Sequence, residues 1–239
     1  MSTPVRTRLL AIDTATAAAC LALGDRAGAP VASRSWAAGR RHGETLLGEI
    51  ELLLRGAAVT PAELAGIVVG IGPGTFTGLR VGLATAKTLA HDLAVPLVGI
   101  PTAHALALAA SASGAPSGPM IILLPAGPSD RYCAPVRVVG GRIEPLDAVS
   151  LLPLADPVPA PAGATVVAVD LPAGAPGIDT AAAALGGLAV AGLGEALLEL
   201  GRGALDAGRA DDAATLVPAY VTLPRGAPAG NERWSPDLR

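Results

Sequence analysis

Residues 66–100, GIVVGIGPGTFTGLRVGLATAKTLAHDLAVPLVGI, read as strand, glycine turn, helix and strand. Gly66-Ile67-Val68-Val69-Gly70-Ile71 is a short β-branched run without alternation, the pattern of a strand buried on both faces. Pro73 removes a ladder donor, and Gly72 and Gly74 admit positive φ, so the chain must turn there before Thr75 or Thr77 caps a helix. That helix runs to about Asp92, and within it Gly78, Gly82, Ala86 and Ala90 recur every fourth residue. An interior glycine costs about 1 kcal/mol relative to alanine, so the stripe predicts a close neighbour: the helix's own sheet, or another helix, from this chain or a partner. Glycines before a helix also suggest a phosphate cradle, but this turn has neither the Lys-Ser/Thr of a P-loop nor G-x-G-x-x-G spacing.

The rest of the chain is read around that unit. Arg8-Leu9-Leu10-Ala11-Ile12-Asp13 is a buried strand ending in the polar turn Asp13-Thr14-Ala15-Thr16, and two further strands occupy 17–23 and 30–36. Over 41–55 the period becomes helical: Leu46, Leu47, Ile50, Leu53 and Leu54 share one face, with Glu44, Glu49, Glu51 and Arg55 elsewhere. Thr60-Pro61-Ala62-Glu63 caps a short turn, and a strand at 96–100 precedes a helix opening at Pro101-Thr102. Small and turn residues crowd 111–119, which divides a first lobe, 1–110, from a smaller second lobe, 111–223, and a mobile tail, 224–239. The second lobe reads as a strand at 120–124, a hairpin of 132–139 with 142–149, a Pro/Ala connector over 152–163, a strand at 165–169, a glycine-weakened helix over 180–207, and a last strand, Pro218-Ala219-Tyr220-Val221. This order predicts an α/β, two-lobed actin-like or sugar-kinase-like (ribonuclease-H-like) fold, with mixed sheets flanked by helices and a reduced second lobe. It fixes no function.

Composition excludes several classes. A net charge of −3 gives no basic footprint for gripping nucleic acid unaided, and Trp36, Phe76, Tyr132, Tyr220 and Trp234 are too scattered to form a base-stacking platform. Lys87 is the only lysine, and its mid-helix position reads as a solvated face. Cys20 and Cys133 make neither a disulfide framework nor a zinc site. The N-terminus lacks a secretory pattern, and the apolar stretch 93–129 is too broken by Gly and Pro to span a membrane, so a cytoplasmic chain is expected. His42, His91 and His104 are not spaced as metal ligands. No metal, cofactor or catalytic residue is expected.

Three segments together resemble the TsaB family, also called YeaZ: Ala11-Ile12-Asp13-Thr14-Ala15-Thr16; Arg41-His42 opening the first helix; and Gly70-Ile71-Gly72-Pro73-Gly74-Thr75-Phe76-Thr77-Gly78-Leu79-Arg80-Val81-Gly82. The resemblance covers 8–108 and returns at Pro218-Ala219-Tyr220-Val221, where the family has Pro-x-Tyr-Leu-Arg. It implies a non-catalytic subunit that pairs with the related catalytic subunit TsaD. With the ATPase TsaE, that pair supports formation of N6-threonylcarbamoyladenosine beside the anticodon of tRNAs, from a donor made by a separate enzyme, TsaC. It also implies that the helices at 41–55 and 78–92 make the partner contact. The interface expected is Leu47, Ile50, Glu51 and Leu54 with Gly78, Arg80, Gly82, Leu83, Ala86, Lys87 and Ala90, the charged residues at the rim. A homodimer is expected when the partner is absent. Contact with tRNA is expected only indirectly, and Gly82→Leu is expected to abolish docking while leaving the fold largely intact. The chain departs from the family at Pro125-Ala126-Gly127, where Asp-Ala-Arg is common, and at Ala17, where many members carry Glu.

The alternative is an ATP-dependent small-molecule kinase of the same superfamily. It would use Asp13 as a metal-water or base carboxylate, Thr14 and Thr16 as phosphate contacts, and the turn from Gly72 to Gly74 as a cradle; the same five residues are where a weak nucleotide contact is expected in a scaffold. Against the kinase stand Ala15, in place of a hairpin glycine, and the lack of a second acidic turn before Asp130.

Overall fold

The structure, a computed structural model, describes residues 5–27, 29–37, 42–219 and 221, and over 42–44 the backbone alone. Arg41, Tyr220 and the tail at 224–239 lie outside the described residues.

Strands β1 (Arg8–Asp13), β2 (Ala18–Asp25) and β3 (Pro30–Ala37) form an antiparallel meander. Helix α1 (His42–Gly56) and a 3-10 turn at Pro61–Glu63 lead to β4 (Leu64–Gly70), and α2 (Phe76–Leu93) leads to β5 (Leu97–Ile100). β4 runs parallel to β1 and β5 parallel to β4, giving the order β3-β2-β1-β4-β5. Helix α3 (Thr102–Ala112) then hands the chain to a second sheet built from β6 (Gly118–Pro125), β7 (Asp130–Val139), β8 (Arg142–Pro145), β9 (Ser150–Pro153) and β10 (Thr165–Ala168). Its order is β10-β6-β7-β8, with β9 also paired to β7, and β10 alone runs parallel to β6. Helices α4 (Thr180–Ala191) and α5 (Leu193–Asp206) follow.

Because side chains alternate along a strand, β1 feeds two cores. Leu10 and Ile12 pack with Leu21, Leu23, Ile67 and Val69 beneath α1 and α2. Leu9 and Ala11 pack on the opposite face with Cys20, Ala22 and Val68, in one continuous cluster with Leu106, Met120, Ile122 and Leu197. The second core therefore joins the two sheets.

Four expectations need correction. The 180–207 segment is two helices bent by 61° around Gly192, and α5 lies on the first sheet, with Gly194 against Ala22 and Gly201 against Val68. The stretch 193–219 thus packs with the first sheet rather than the second lobe; Asp211 extends it by pairing with Leu97 and accepting the Gly99 N–H at 2.7 Å. The hairpin's return strand stops at Pro145, and the connector expected from 152 begins as β9. Pro218 and Ala219 form no strand; the Ala219 N–H donates to the Ile71 carbonyl at 2.8 Å. Among the described residues, no single helix is long and apolar enough to cross a membrane.

Candidate functional site

The polar turn after β1 and the glycine turn before α2 meet at the carboxyl ends of β1, β4 and β5. Asp13 is fully buried: its Oδ1 accepts the Ala15 N–H at 2.7 Å and its Oδ2 accepts the Thr102 hydroxyl at 2.7 Å. Thr102 Oγ1 in turn accepts the Gly72 N–H at 3.1 Å, while the Thr102 N–H donates to the Gly72 carbonyl at 2.7 Å. One carboxylate thereby clasps the β1–β2 turn, the glycine turn and the start of α3. Burial pushes the Asp13 carboxyl up to about 6, with the bonds from Ala15 and Thr102 partly offsetting it. Burial, with Asp13 nearby, also pushes the Cys20 thiol up to about 12.

The same turn is keyed into α2. The Thr14 hydroxyl donates to the Gly78 carbonyl at 2.7 Å, the Thr75 N–H donates to the Ala15 carbonyl at 2.8 Å, and the Thr75 hydroxyl donates to the Thr14 carbonyl at 3.3 Å. Thr75 occupies the N-cap position but spends its side chain on this contact rather than on a cap. A Cβ at Gly78 would overlap the Thr14 carbonyl oxygen, one at Gly82 the Thr14 hydroxyl, and one at Gly74 the Ala15 carbonyl. Gly78 and Gly82 of the small-residue stripe therefore allow close approach of this chain's own turn, and Ala86 and Ala90 pack in the core.

That packing corrects two expectations. Asp13, Thr14 and Thr16 are almost wholly buried and Gly72 and Gly74 are buried with them, so the five residues are brought together but around each other, with their polar atoms spent internally; the Thr16 hydroxyl donates to the Ala18 carbonyl at 2.7 Å. A nucleotide contact at these atoms is not open in this arrangement. Gly82→Leu cannot leave the fold intact either, since the new side chain must displace the β1–β2 turn.

The interface expectation divides in the same way. Gly78, Gly82, Leu83, Ala86 and Ala90 are buried inside the chain, where they seat α2 on the sheet; Ile50 and Leu54 are buried too, but also line the cleft between α1 and α2. Leu47, 61% exposed, departs from the buried face that Leu46, Ile50, Leu53 and Leu54 share; Glu51 and Arg80 are exposed and Lys87 is half-buried. These face solvent on the outer side of the two helices. Leu47, Glu51 and Leu89 line an apolar cleft of about 350 Å³ between α1, α2 and the 3-10 turn, and the exposed Phe76 ring carries the Arg80 guanidinium at 3.8 Å.

Two residues of the site carried no local signal. Thr102 stood in the sequence only as a helix opening. Asp170, just past β10, accepts the Ala17 N–H at 2.7 Å across 153 residues. A separate cleft of about 980 Å³ between β5, β8 and α5 is lined by none of the expected residues; burial lowers the imidazole value of His104 at its edge. Among the described residues, no group of three His, Cys, Asp or Glu side chains is placed to hold a metal.

The comparisons with known proteins agree with this architecture. The family model described as TsaD: tRNA N6-adenosine threonylcarbamoyltransferase matches residues 36–174, more than half the chain. The tRNA threonylcarbamoyladenosine biosynthesis protein TsaB of Escherichia coli is 32% identical over 100 residues, covering 42% of each chain. The chain belongs to the TsaD-type family. The solved structure of YeaZ from Pseudomonas aeruginosa superposes with a TM-score of 0.69 at 24% identity, covering 90% of this chain and 99% of that one, which shows the shared actin-like fold. An uncharacterized protein of Mycobacterium tuberculosis is 35% identical over 140 residues, 56% of this chain. The match spans 64% of that relative's length, less than two thirds.

Proposed function

We propose that this chain is the TsaB-type, non-catalytic subunit of a complex that forms N6-threonylcarbamoyladenosine in tRNA, and that it docks a TsaD-type catalytic subunit through the outer face of α1 and α2. The names borne by its relatives supply the reaction. The observation that carries the docking face is the exposed Leu47, which lines an apolar cleft between both helices and the 3-10 turn with Glu51, Arg55 and Leu89; Arg80, exposed, and Lys87, half-buried, lie elsewhere on α2. An apolar centre with a charged rim is the anatomy of a protein interface. The buried half of the expected set, from Ile50 to Ala90, positions those helices. A TsaE-type ATPase acts alongside, tRNA is met only through the partner, the chain pairs with itself when alone, and the complex works in the cytoplasm.

The absence of a catalytic role in this reading rests on the turn itself. Asp13 and Thr14, which a kinase would aim at metal and phosphate, are buried and bonded to the chain's own backbone and to Thr102. No observation favours the kinase alternative. The test is titration of the TsaD-type subunit with wild type and Leu47→Asp. Affinity is expected to fall at least about tenfold with the melting temperature unchanged, because a charge enters the centre of the contact. Unchanged affinity would remove α1 from the interface.

A further inference from the structure

The β1–β2 turn touches the second lobe at one end and α2 at the other. At the second-lobe end, the exposed Asp170 accepts the Ala17 N–H at 2.7 Å, from a backbone in the left-handed region (φ 53°) directly after β10. That conformation is unfavourable for a side-chain-bearing residue, though Asp and Asn tolerate it best. At the α2 end, Gly74, just before the helix, and Gly78 face the Ala15 and Thr14 carbonyls, and Gly82 faces the Thr14 side chain, with no side chain of their own to absorb a shift. Between the ends, Asp13 and Thr16 bond the turn internally.

We propose that the second lobe sets the pose of α2 through this turn, with Asp170 as the latch, so that the occupancy of the Asp170–Ala17 bond regulates docking at the outer face of α1 and α2. The inference rests on the docking reading above. Packing this close passes a displacement of the turn on to α2, because a tightly packed contact has no free space to absorb it. Asp170 is exposed, so a ligand or partner segment arriving at the carboxyl end of β10 can compete for its carboxylate and release Ala17. The turn would then be held by its α2 contacts and by the bond from Thr102 to Asp13.

Three variants of the full chain test the latch. Asp170→Asn keeps an acceptor and tolerates the left-handed backbone; Asp170→Ala removes the acceptor; Asp170→Gly removes it while relaxing the backbone. In Asp170→Ala and Asp170→Gly, amide exchange is expected to quicken about tenfold both at 14–17 and at 76–80 in the first turn of α2, and affinity for the TsaD-type subunit to fall about fivefold, with Asp170→Asn close to wild type. Faster exchange confined to 14–17, with α2 and affinity unchanged, would overturn the coupling, as would Asp170→Gly behaving like wild type. Leu47→Asp run in parallel separates the two claims. If it leaves affinity intact, the docking reading fails and the exchange at 76–80 alone decides the latch.

Discussion

Asp13 is fully buried, and both of its carboxyl oxygens accept hydrogen bonds from the chain itself. Its carboxyl stands near 6 in the folded protein against an ordinary value of 3.8, because burial disfavours the charged form. Between those values the native state holds a proton that the unfolded chain has released. The stabilisation is complete below 3.8 and is lost as pH rises through about 6. Relative to Asp13→Asn, which cannot titrate, wild type is expected to lose about 1 kcal/mol of stability between pH 5 and pH 7.5, read from denaturant midpoints at the two pH values. A constant difference between the two proteins would contradict it. Gly78→Ala is expected to cost about 2 kcal/mol or more, since its methyl group meets the Thr14 backbone oxygen; a thermal melt within error of wild type would contradict that packing. The glycine stripe and the Asp-Thr turn were both legible in the sequence, but that one is the socket of the other was not. Thr102 and Asp170 were invisible because their partners lie 89 and 153 residues away, beyond any local period.

Helix α1 shows how far periodicity reaches. Five apolar residues share one helical face by spacing, yet the sheet covers only Leu46, Ile50, Leu53 and Leu54, and Leu47 stands at the edge of that face, facing outward. Spacing alone does not say where cover ends. Leu46→Ala is expected to destabilise by about 2–5 kcal/mol and Leu47→Ala by no more than about 0.5 kcal/mol, measured by chemical denaturation. Equal losses would mean that Leu47 is covered as well. The break between α4 and α5 was missed for the opposite reason: Ala and Gly fill Thr180–Ala191 so evenly that no face stands out, while α5 lays Gly194, Leu198, Gly201 and Leu205 on the first sheet.

The two sheets share one core. Leu9, Ala22 and Val68 of the first sheet lie in the same cluster as Met120 and Ile122 of the second and Leu197 of α5. A fragment ending at residue 112 would lose α5 and expose that face, so it is expected to lack a cooperative thermal transition; a sharp melt from the fragment would show that the first lobe folds alone. The element order of a two-lobed actin-like molecule was legible from the alternation of strand and helix patterns. The return of 193–219 to the first sheet was not, because a composition change marks where a chain leaves a lobe and says nothing of where it comes back. The whole molecule thus presents a packed, inward-looking turn and an outward-looking helical face, which suits a subunit that supports chemistry done elsewhere. The most direct measurement is threonylcarbamoyladenosine formation on tRNA, reconstituted from the TsaC-, TsaD- and TsaE-type proteins of the same organism with and without this chain. Product that appears only when wild-type chain is present, and is lost with Leu47→Asp, is the predicted result; equal product without the chain would contradict the account.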